Sequence, residues 1–292
     1  MIYICADDYG LCAESTEKIQ RCIDSGILDK VSVFPNMEPI DFGRLWQHKK
    51  TRVALHVNLI EGKCMADAGK IDLLAEKDGN FKHAFYGLFL LNLFRRKALE
   101  DQVYQEIRAQ VRFFKSLLPD GEPFCIDSHQ HIHMIPGVFN ALLRVLQEEK
   151  IQLTYMRIPA EPLLPYLKMP SLYLTYSPIN LLKQWMLNFL WLLNRKQAAK
   201  YHIPTAYFMG ILFSGHMEAG KVSKVLPAYA KLAEKDGRDI EVLFHPGYLE
   251  RNKPDYQEKN IVFEKFYLSK HRKTEFDAVI NMQKEGCNNV VH

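Results

Sequence analysis

The sequence predicts an α/β fold, a single irregular TIM-like (β/α) barrel carrying a helical insertion around residues 160–201. Three observations predict it. Short apolar runs alternate along the chain with stretches of helical period. Those runs end repeatedly in polar or titratable residues: Asp7-Asp8, His56, His129, Arg157 and His245. No repeat or low-complexity segment divides the 292 residues, so one domain over 1–292 is expected. In parallel α/β folds the C-terminal ends of the strands are where sites are built.

Bulk properties narrow the function classes. A hydrophobic content of 48% with 25% charged residues is that of an ordinary globular chain. The net charge of +4 is mild and no long Lys/Arg block occurs, which argues against a nucleic-acid partner. Six cysteines (5, 12, 22, 64, 125 and 287) form no CxxC pair and read as reduced thiols. Residues 2–6 are too short for a secretory apolar core and run at once into two aspartates, so a cytoplasmic protein is expected.

In chain order, residues 2–6 form a buried strand ending in Asp7-Asp8-Tyr9-Gly10. Adjacent carboxylates resist joint ionisation, a cost relieved when one ligates a metal and the other serves as a base. A helix from about Glu14 to Ser25 follows, with Ile19, Cys22 and Ile23 on one face. Val31 to Phe34 is a second strand, closed by Pro35, and a helix then runs to about Lys50. Thr51 to Leu59 is a third strand, whose period of two puts His56 and Asn58 on one face. Residues 60–98 are irregular, with an apolar patch from Phe85 to Phe94. A long helix spans about Leu99 to Leu118, striped by Val103, Ile107, Val111 and Phe114, and Pro119-Asp120-Gly121 ends it.

The densest chemistry follows the next apolar run, Phe124 to Ile126. Asp127, His129, His131 and His133 fall within seven residues, and Pro136 then opens a helix. In an extended segment all three histidines would share a side. If the chain turns after Ser128, only His129 enters the site. Leu153 to Arg157 is a further strand; Arg157 reads either as the bidentate partner of an acidic residue or as a surface charge. Ala206 to Phe213, a helix over Met217 to Lys235, and Asp239 to Phe244 continue the rhythm, and His245-Pro246-Gly247-Tyr248 closes the last strand. A final helix covers about Lys273 to Glu285, before a short segment from Asn288 to His292.

The insertion carries the apolar run Leu181 to Leu193. Its 13 residues fall short of the roughly 20 needed to span a bilayer. Packing into the body or a homodimer contact is favoured, since apolar helices are usually core. The alternative is contact with a membrane surface through 181–193, with Lys183, Arg195 and Lys196 near phosphate headgroups and the protein peripheral to the inner membrane face.

Together, Ala6-Asp7-Asp8-Tyr9-Gly10-Leu11, Leu55-His56-Val57-Asn58-Leu59, Asp127-Ser128-His129-Gln130-His131-Ile132-His133 and Phe244-His245-Pro246-Gly247-Tyr248 resemble the YdjC-like carbohydrate deacetylases. The order and approximate spacing of these motifs match along nearly the whole chain. The resemblance extends distantly to the NodB-type polysaccharide deacetylases. It implies a divalent metal, Mg2+ by family, and hydrolysis of an N-acetyl group on a sugar. Residue by residue it implies Asp8, His56 and His129 as ligands, Asp7 as base, His245 as acid and Arg157 as the orienter of Asp7. Asp127 and His131 would support the histidines; Tyr9, Asn58, His133 and Tyr248 would face the sugar. On ligand chemistry alone, Zn2+, Mn2+ and Co2+ suit the set at least as well as Mg2+. The chain departs from the family at Tyr9, where many relatives carry Phe, and in the insertion, which leaves soluble and lipid- or glycan-linked acetamido sugars both open. The rival readings are another metal hydrolase, acting on a phosphoester or cyclic amide, and a non-catalytic sugar-binding protein.

Overall fold

The structure, a computed structural model, describes residues 1–37, 40–250 and 267–284. Its frame is seven parallel strands: β1 (Ile2–Tyr9), β2 (Lys30–Val33), β3 (Arg52–Val57), β4 (Phe124–Ser128), β5 (Leu153–Met156), β6 (Tyr207–Met209) and β7 (Ile240–Phe244). They lie in the order β5-β4-β3-β2-β1-β7-β6. Among the described residues the helices are α1 (Ala13–Asp24), α2 (Phe42–Gln47), α3 (Phe85–Phe94), α4 (Arg96–Leu117), α5 (Pro136–Glu148), α6 (Leu164–Leu167), α7 (Pro178–Lys200), α8 (Ala219–Asp236) and α9 (Lys270–Lys284). The predicted end of the last helix at Glu285, the segment 288–292 and Cys287 lie outside the described residues.

The α/β class and the parallel sheet agree with the sequence, but the expected barrel does not close. The edges β5 and β6 are not paired as strands; they meet through a backbone hydrogen bond from Met156 N–H to the Pro204 carbonyl, 3.1 Å. Two local causes keep the seam open. Pro204 has no amide hydrogen to return a ladder bond. The strand expected over Ala206 to Phe213 stops at Met209, because the Glu161 carboxylate takes the next amides, Gly210 (2.8 Å), Ile211 (3.3 Å) and Leu212 (2.7 Å). The sheet is a curled, unclosed version of a TIM-like barrel.

Its concave interior is polar rather than aliphatic. Alternation along the strands brings Lys30, Tyr155 and Glu241 together at one level and Asp7, Ser32, His56 and Asp127 at the next, all but Tyr155 buried. Lys30 Nζ donates to Glu241 at 2.7 Å, Tyr155 donates to the other Glu241 oxygen, and Ser32 Oγ donates to Asp127 at 2.6 Å. Arg157, just beyond β5 and fully buried, donates from Nε to Glu241 (2.8 Å). A buried charge is tolerated only when paired and hydrogen-bonded, and this network meets that condition.

The outer layer follows the predicted helical stripes: Val103, Ile107, Val111 and Phe114 of α4 are buried, and Pro136 occupies the first turn of α5. The Phe85–Phe94 patch is the helix α3. The insertion lies between β5 and β6 and contains α6, a 3₁₀ segment (Pro170–Thr175) and α7.

Here the expectation of simple packing by the apolar run is corrected. On α7 half of the inward stripe is amides: Asn180, Gln184 and Asn194 are buried with Leu187, Leu190 and Ala198. Their side chains donate to backbone carbonyls, Asn180 to Ser214 (3.0 Å), Gln184 to Glu161 (2.7 Å) and Asn194 to Met134 (2.8 Å). Much of the apolar run faces outward.

Candidate metal centre

β1 delivers two consecutive carboxylates to the rim because its register slips between Ala6 and Tyr9. Asp8 sits in the left-handed region (φ 70), which breaks the alternation that would otherwise send Asp7 and Asp8 to opposite faces. Gly10 completes the turn at φ 88, where a Cβ would lie 2.6 Å from Ile40 Cδ1. Arg157 grips Asp7 with both terminal nitrogens, Nη1 to Oδ2 at 2.6 Å and Nη2 to Oδ1 at 2.9 Å. Burial raises the Asp7 pKa, but the guanidinium outweighs it and the carboxyl ends below its usual range.

The other aspartate faces the histidines. Asp8 Oδ1 accepts from His129 Nδ1 at 3.0 Å and lies 3.5 Å from His56 Nε2. Behind it, Asp8 Oδ2 accepts from Arg272 of α9 at 2.6 Å. One oxygen of Asp8 and one nitrogen from each of His56 and His129 lie within 4.8 Å of one another, all buried. His56 Nε2, in the middle of this group, has no hydrogen-bond partner. Its Nδ1 is fixed by Asp127 Oδ1 at 2.6 Å, the carboxylate-histidine pairing that orients metal-bound imidazoles.

Burial opposes charging of His56, yet Asp7, Asp127 and Asp8 outweigh it and carry its pKa up to about 10. A field that holds a proton there also favours a cation in the proton's place. The donor set therefore fits a divalent metal: Asp8, His56 and His129 would hold it, with coordination positions left for water and substrate. A second grouping, Asp7, His56 and Asp127, is also within ligating reach, but Arg157 already lies against both of its carboxylates.

After Ser128 the chain turns instead of staying extended. His129–Met134 forms short 3₁₀ turns, with Gln130 (φ 50) and His131 (φ 57) left-handed. This separates the three histidines. His133 is buried with both nitrogens engaged: Nε2 donates to the Arg157 carbonyl (2.8 Å) and Nδ1 accepts from Ser128 Oγ (2.5 Å). Burial pushes its pKa down to about 4, so it stays a neutral brace and not the sugar-facing group expected. His131, expected as support, has its Nδ1 buried without a partner and packs edge-on against Phe208, ring centroids 5.7 Å apart. Burial, with Arg157 adding to it, holds its pKa well below the usual histidine range.

Asn58 and Tyr9 are likewise not free to meet a ligand. Asn58 Oδ1 accepts from the amides of Ile60 and Glu61, both at 2.9 Å, and its Nδ2 donates to Asn36 (2.9 Å) and to the Glu61 carbonyl (2.7 Å). What this turn delivers is the Glu61 side chain, 3.6 Å from His129 Nε2. The Tyr9 ring is buried and its hydroxyl donates to Gln20 at 2.9 Å. Tyr248 is partly buried between Phe276 and the Lys18 ammonium. His245, at the end of β7, is held by Glu275 of α9, which accepts from its backbone amide at 2.5 Å and lies 3.4 Å from Nδ1.

Glu61, Lys30, Glu241, Arg272 and Glu275 were not singled out in the sequence. The one available signal was charge at or beside predicted elements: Glu241 within a strand, Lys30 just before one, and Arg272 and Glu275 three apart at the start of the last helix.

The arrangement can seat a cation beside an ionised carboxylate, with a histidine on the neighbouring strand end. Comparisons with known proteins bear on its chemistry. The sequence profile of a family described as YdjC-like protein matches residues 1–284. A zebrafish (Danio rerio) protein named carbohydrate deacetylase is 32% identical over 162 residues, covering 55% of this chain and 50% of its own. A Clostridium beijerinckii protein of the same name is 25% identical over 160 residues, 53% of this chain and 60% of its own. The chain thus spans about half the length of the curated relatives it matches. A crystal structure from Enterococcus faecalis V583, described as a cellobiose-phosphate cleavage protein, superimposes with a TM-score of 0.60 at 16% identity. That superposition covers 97% of this chain and 94% of the other, a likeness of fold.

Proposed function

Because the chain belongs to the YdjC-like family, we propose that it is a metal-dependent hydrolase removing the N-acetyl group from an acetamido sugar. The observation that carries this reading is the convergence of Asp8, His56 and His129 around an unpartnered, buried imidazole nitrogen, beside an Asp7 clamped by Arg157. The name carbohydrate deacetylase on its relatives supports the substrate class.

Asp8, His56 and His129 would hold a divalent cation, which would supply Lewis-acid polarisation and a lowered pKa for water. Mg2+ follows from the resemblance, while two imidazoles and a carboxylate serve Zn2+, Mn2+ or Co2+ equally. Asp7, ionised and held in one orientation by the guanidinium, takes the proton from the attacking water. Arg157 thereby limits the basicity of Asp7 while fixing its geometry. His245, anchored through Glu275, gives a proton to the departing amine, without which an amide nitrogen is a poor leaving group. Acetate and a free amino sugar result.

The test is acetate release from N-acetylglucosamine oligomers by metal-stripped protein with single metals restored, beside Asp7→Asn. Metal-dependent release that the substitution abolishes supports the reading. Absence of release from every acetamido sugar offered, with metal bound, sinks it.

A further inference from the structure

We propose that α3 and α7 together form a docking face for an anionic lipid surface. The first observation is that both helices bury amide side chains while leaving large apolar side chains in water. α7 turns amides to the protein and leaves Leu182 (62% exposed), Trp185 (63%), Phe189 and Leu192 to solvent, along one stripe at helical spacing. On α3, Asn92 is buried with Phe85 and Leu88 and accepts from the Gly137 amide at 2.8 Å, while Leu90, Leu93 and Phe94 (81%) are exposed. Folding gains nothing from apolar residues left in water, and contiguous exposed apolar surface marks an interaction site.

The second observation is charge. Between Glu161 and Glu218 the chain has no acidic residue but carries Lys168, Lys183, Arg195, Lys196 and Lys200. Between Asp78 and Glu100 it again has none, against Lys82, Arg95, Arg96 and Lys97. Elsewhere Asp and Glu are frequent, 34 in the whole chain, so these two segments are selectively stripped of negative charge. Apolar faces edged by lysine and arginine, with tryptophan among them, complement lipid phosphates above an acyl layer. A second copy fits less well, since a self-complementary contact would bring two sets of basic side chains together.

The third observation is position. Asn194 of α7 holds the Met134 carbonyl and Asn92 of α3 holds the Gly137 amide, three residues apart. Both helices therefore flank the segment that leads out of His129–Met134, at the rim carrying the candidate metal centre. Among the described residues no helix is long and apolar enough to cross a membrane, so the contact is with the surface. That the sugar processed there is itself lipid-borne rests on the deacetylase reading; the docking does not.

The experiment is co-sedimentation of the full chain with phosphatidylglycerol/phosphatidylcholine vesicles and with phosphatidylcholine alone. Expected is binding to the anionic vesicles at least about tenfold tighter than to the neutral ones, weakened by salt. Trp185→Glu/Phe189→Glu and, separately, Arg195→Glu/Lys196→Glu should each lower anionic-vesicle binding about tenfold or more. All four positions are exposed, so the variants are expected to fold. The proposal is overturned if the full chain stays in the supernatant with anionic vesicles. It is equally overturned if Trp185→Glu/Phe189→Glu breaks a dimer in sedimentation equilibrium and leaves vesicle binding unchanged. Acetate release from soluble oligomers, assayed in parallel, reads the deacetylase chemistry independently of docking.

Discussion

Asp7 and Asp8 are neighbours in sequence with opposite surroundings. Asp7 faces a guanidinium that offers two parallel donors; Asp8 faces two imidazoles, with Arg272 behind it. The left-handed Asp8 makes that division possible, at a cost of about 1 kcal/mol that aspartate tolerates better than most residues. Asp7→Asn keeps the shape and removes the proton acceptor, so the rate of acetate release should fall by about 10²-fold or more with Tm little changed. Asp127→Asn acts one bond further out, through His56. It should weaken metal binding by roughly 10- to 100-fold in a calorimetric titration, without removing a ligand. The residues alone left Arg157 open between a bidentate partner of some acidic residue and a surface charge, and only the family resemblance named Asp7 as that partner, which is where the guanidinium lies. That His133 is a brace and His131 the ring with an unengaged nitrogen was not legible in the sequence. It depends on two left-handed residues, Gln130 and His131, neither of them the glycine that usually signals such a turn.

Among elements, the strands and the helices α1, α4 and α5 could be read from period and punctuation, because each buries one apolar stripe. α3 and α7 could not. Periodicity finds a face, but it cannot say that the polar face is the buried one when the partners are backbone carbonyls far along the chain. Asn180 reaches Ser214, and Asn194 reaches Met134. Such bonds hold α7 in place beside the packing of Leu187, Leu190 and Ala198. Asn194→Ala would leave the buried Met134 carbonyl without this donor, so it should lower stability by about 1–3 kcal/mol in urea unfolding. Trp185→Ala, on the outer face of the same helix, should change it by under about 0.5 kcal/mol. The contrast between the two reads the inversion directly. Arg272 shows the same limit at longer range: its partner Asp8 lies 264 residues away.

At the scale of the whole molecule, the polar interior sets how the fold responds to acid. Burial disfavours the Glu241 anion, but Arg157 and Lys30 outweigh it and bring its pKa to about 2. A carboxylate with a depressed folded pKa contributes stability that is present above its unfolded value, near 4.3, and is lost as pH falls toward the folded one. Asp7 and Asp127 are shifted in the same direction. Tm should therefore drop steeply between about pH 4 and pH 2, and Glu241→Gln should flatten that drop while lowering Tm at neutral pH. The α/β class was legible because the helix-strand rhythm is local. The open seam was not, since it depends on where Glu161 and Pro204 fall relative to strands distant in sequence.

That seam has a mechanical consequence. A closed barrel keeps its girth by an unbroken hoop of ladder hydrogen bonds; here the hoop is cut between β5 and β6. Arg157 is the strut across the cut, since it leaves the end of β5 and is tied to β1, β4 and β7 at once. The girth of the site end is then set by ionic bonds within it, and the rim can breathe without unzipping the sheet. Hydrogen exchange should find the Met156 amide, whose bond to the Pro204 carbonyl crosses the seam, opening well before those of β1 and β7. Arg157→Lys should speed that local opening and also lower the global unfolding midpoint, because a single ammonium cannot reach all three buried carboxylates.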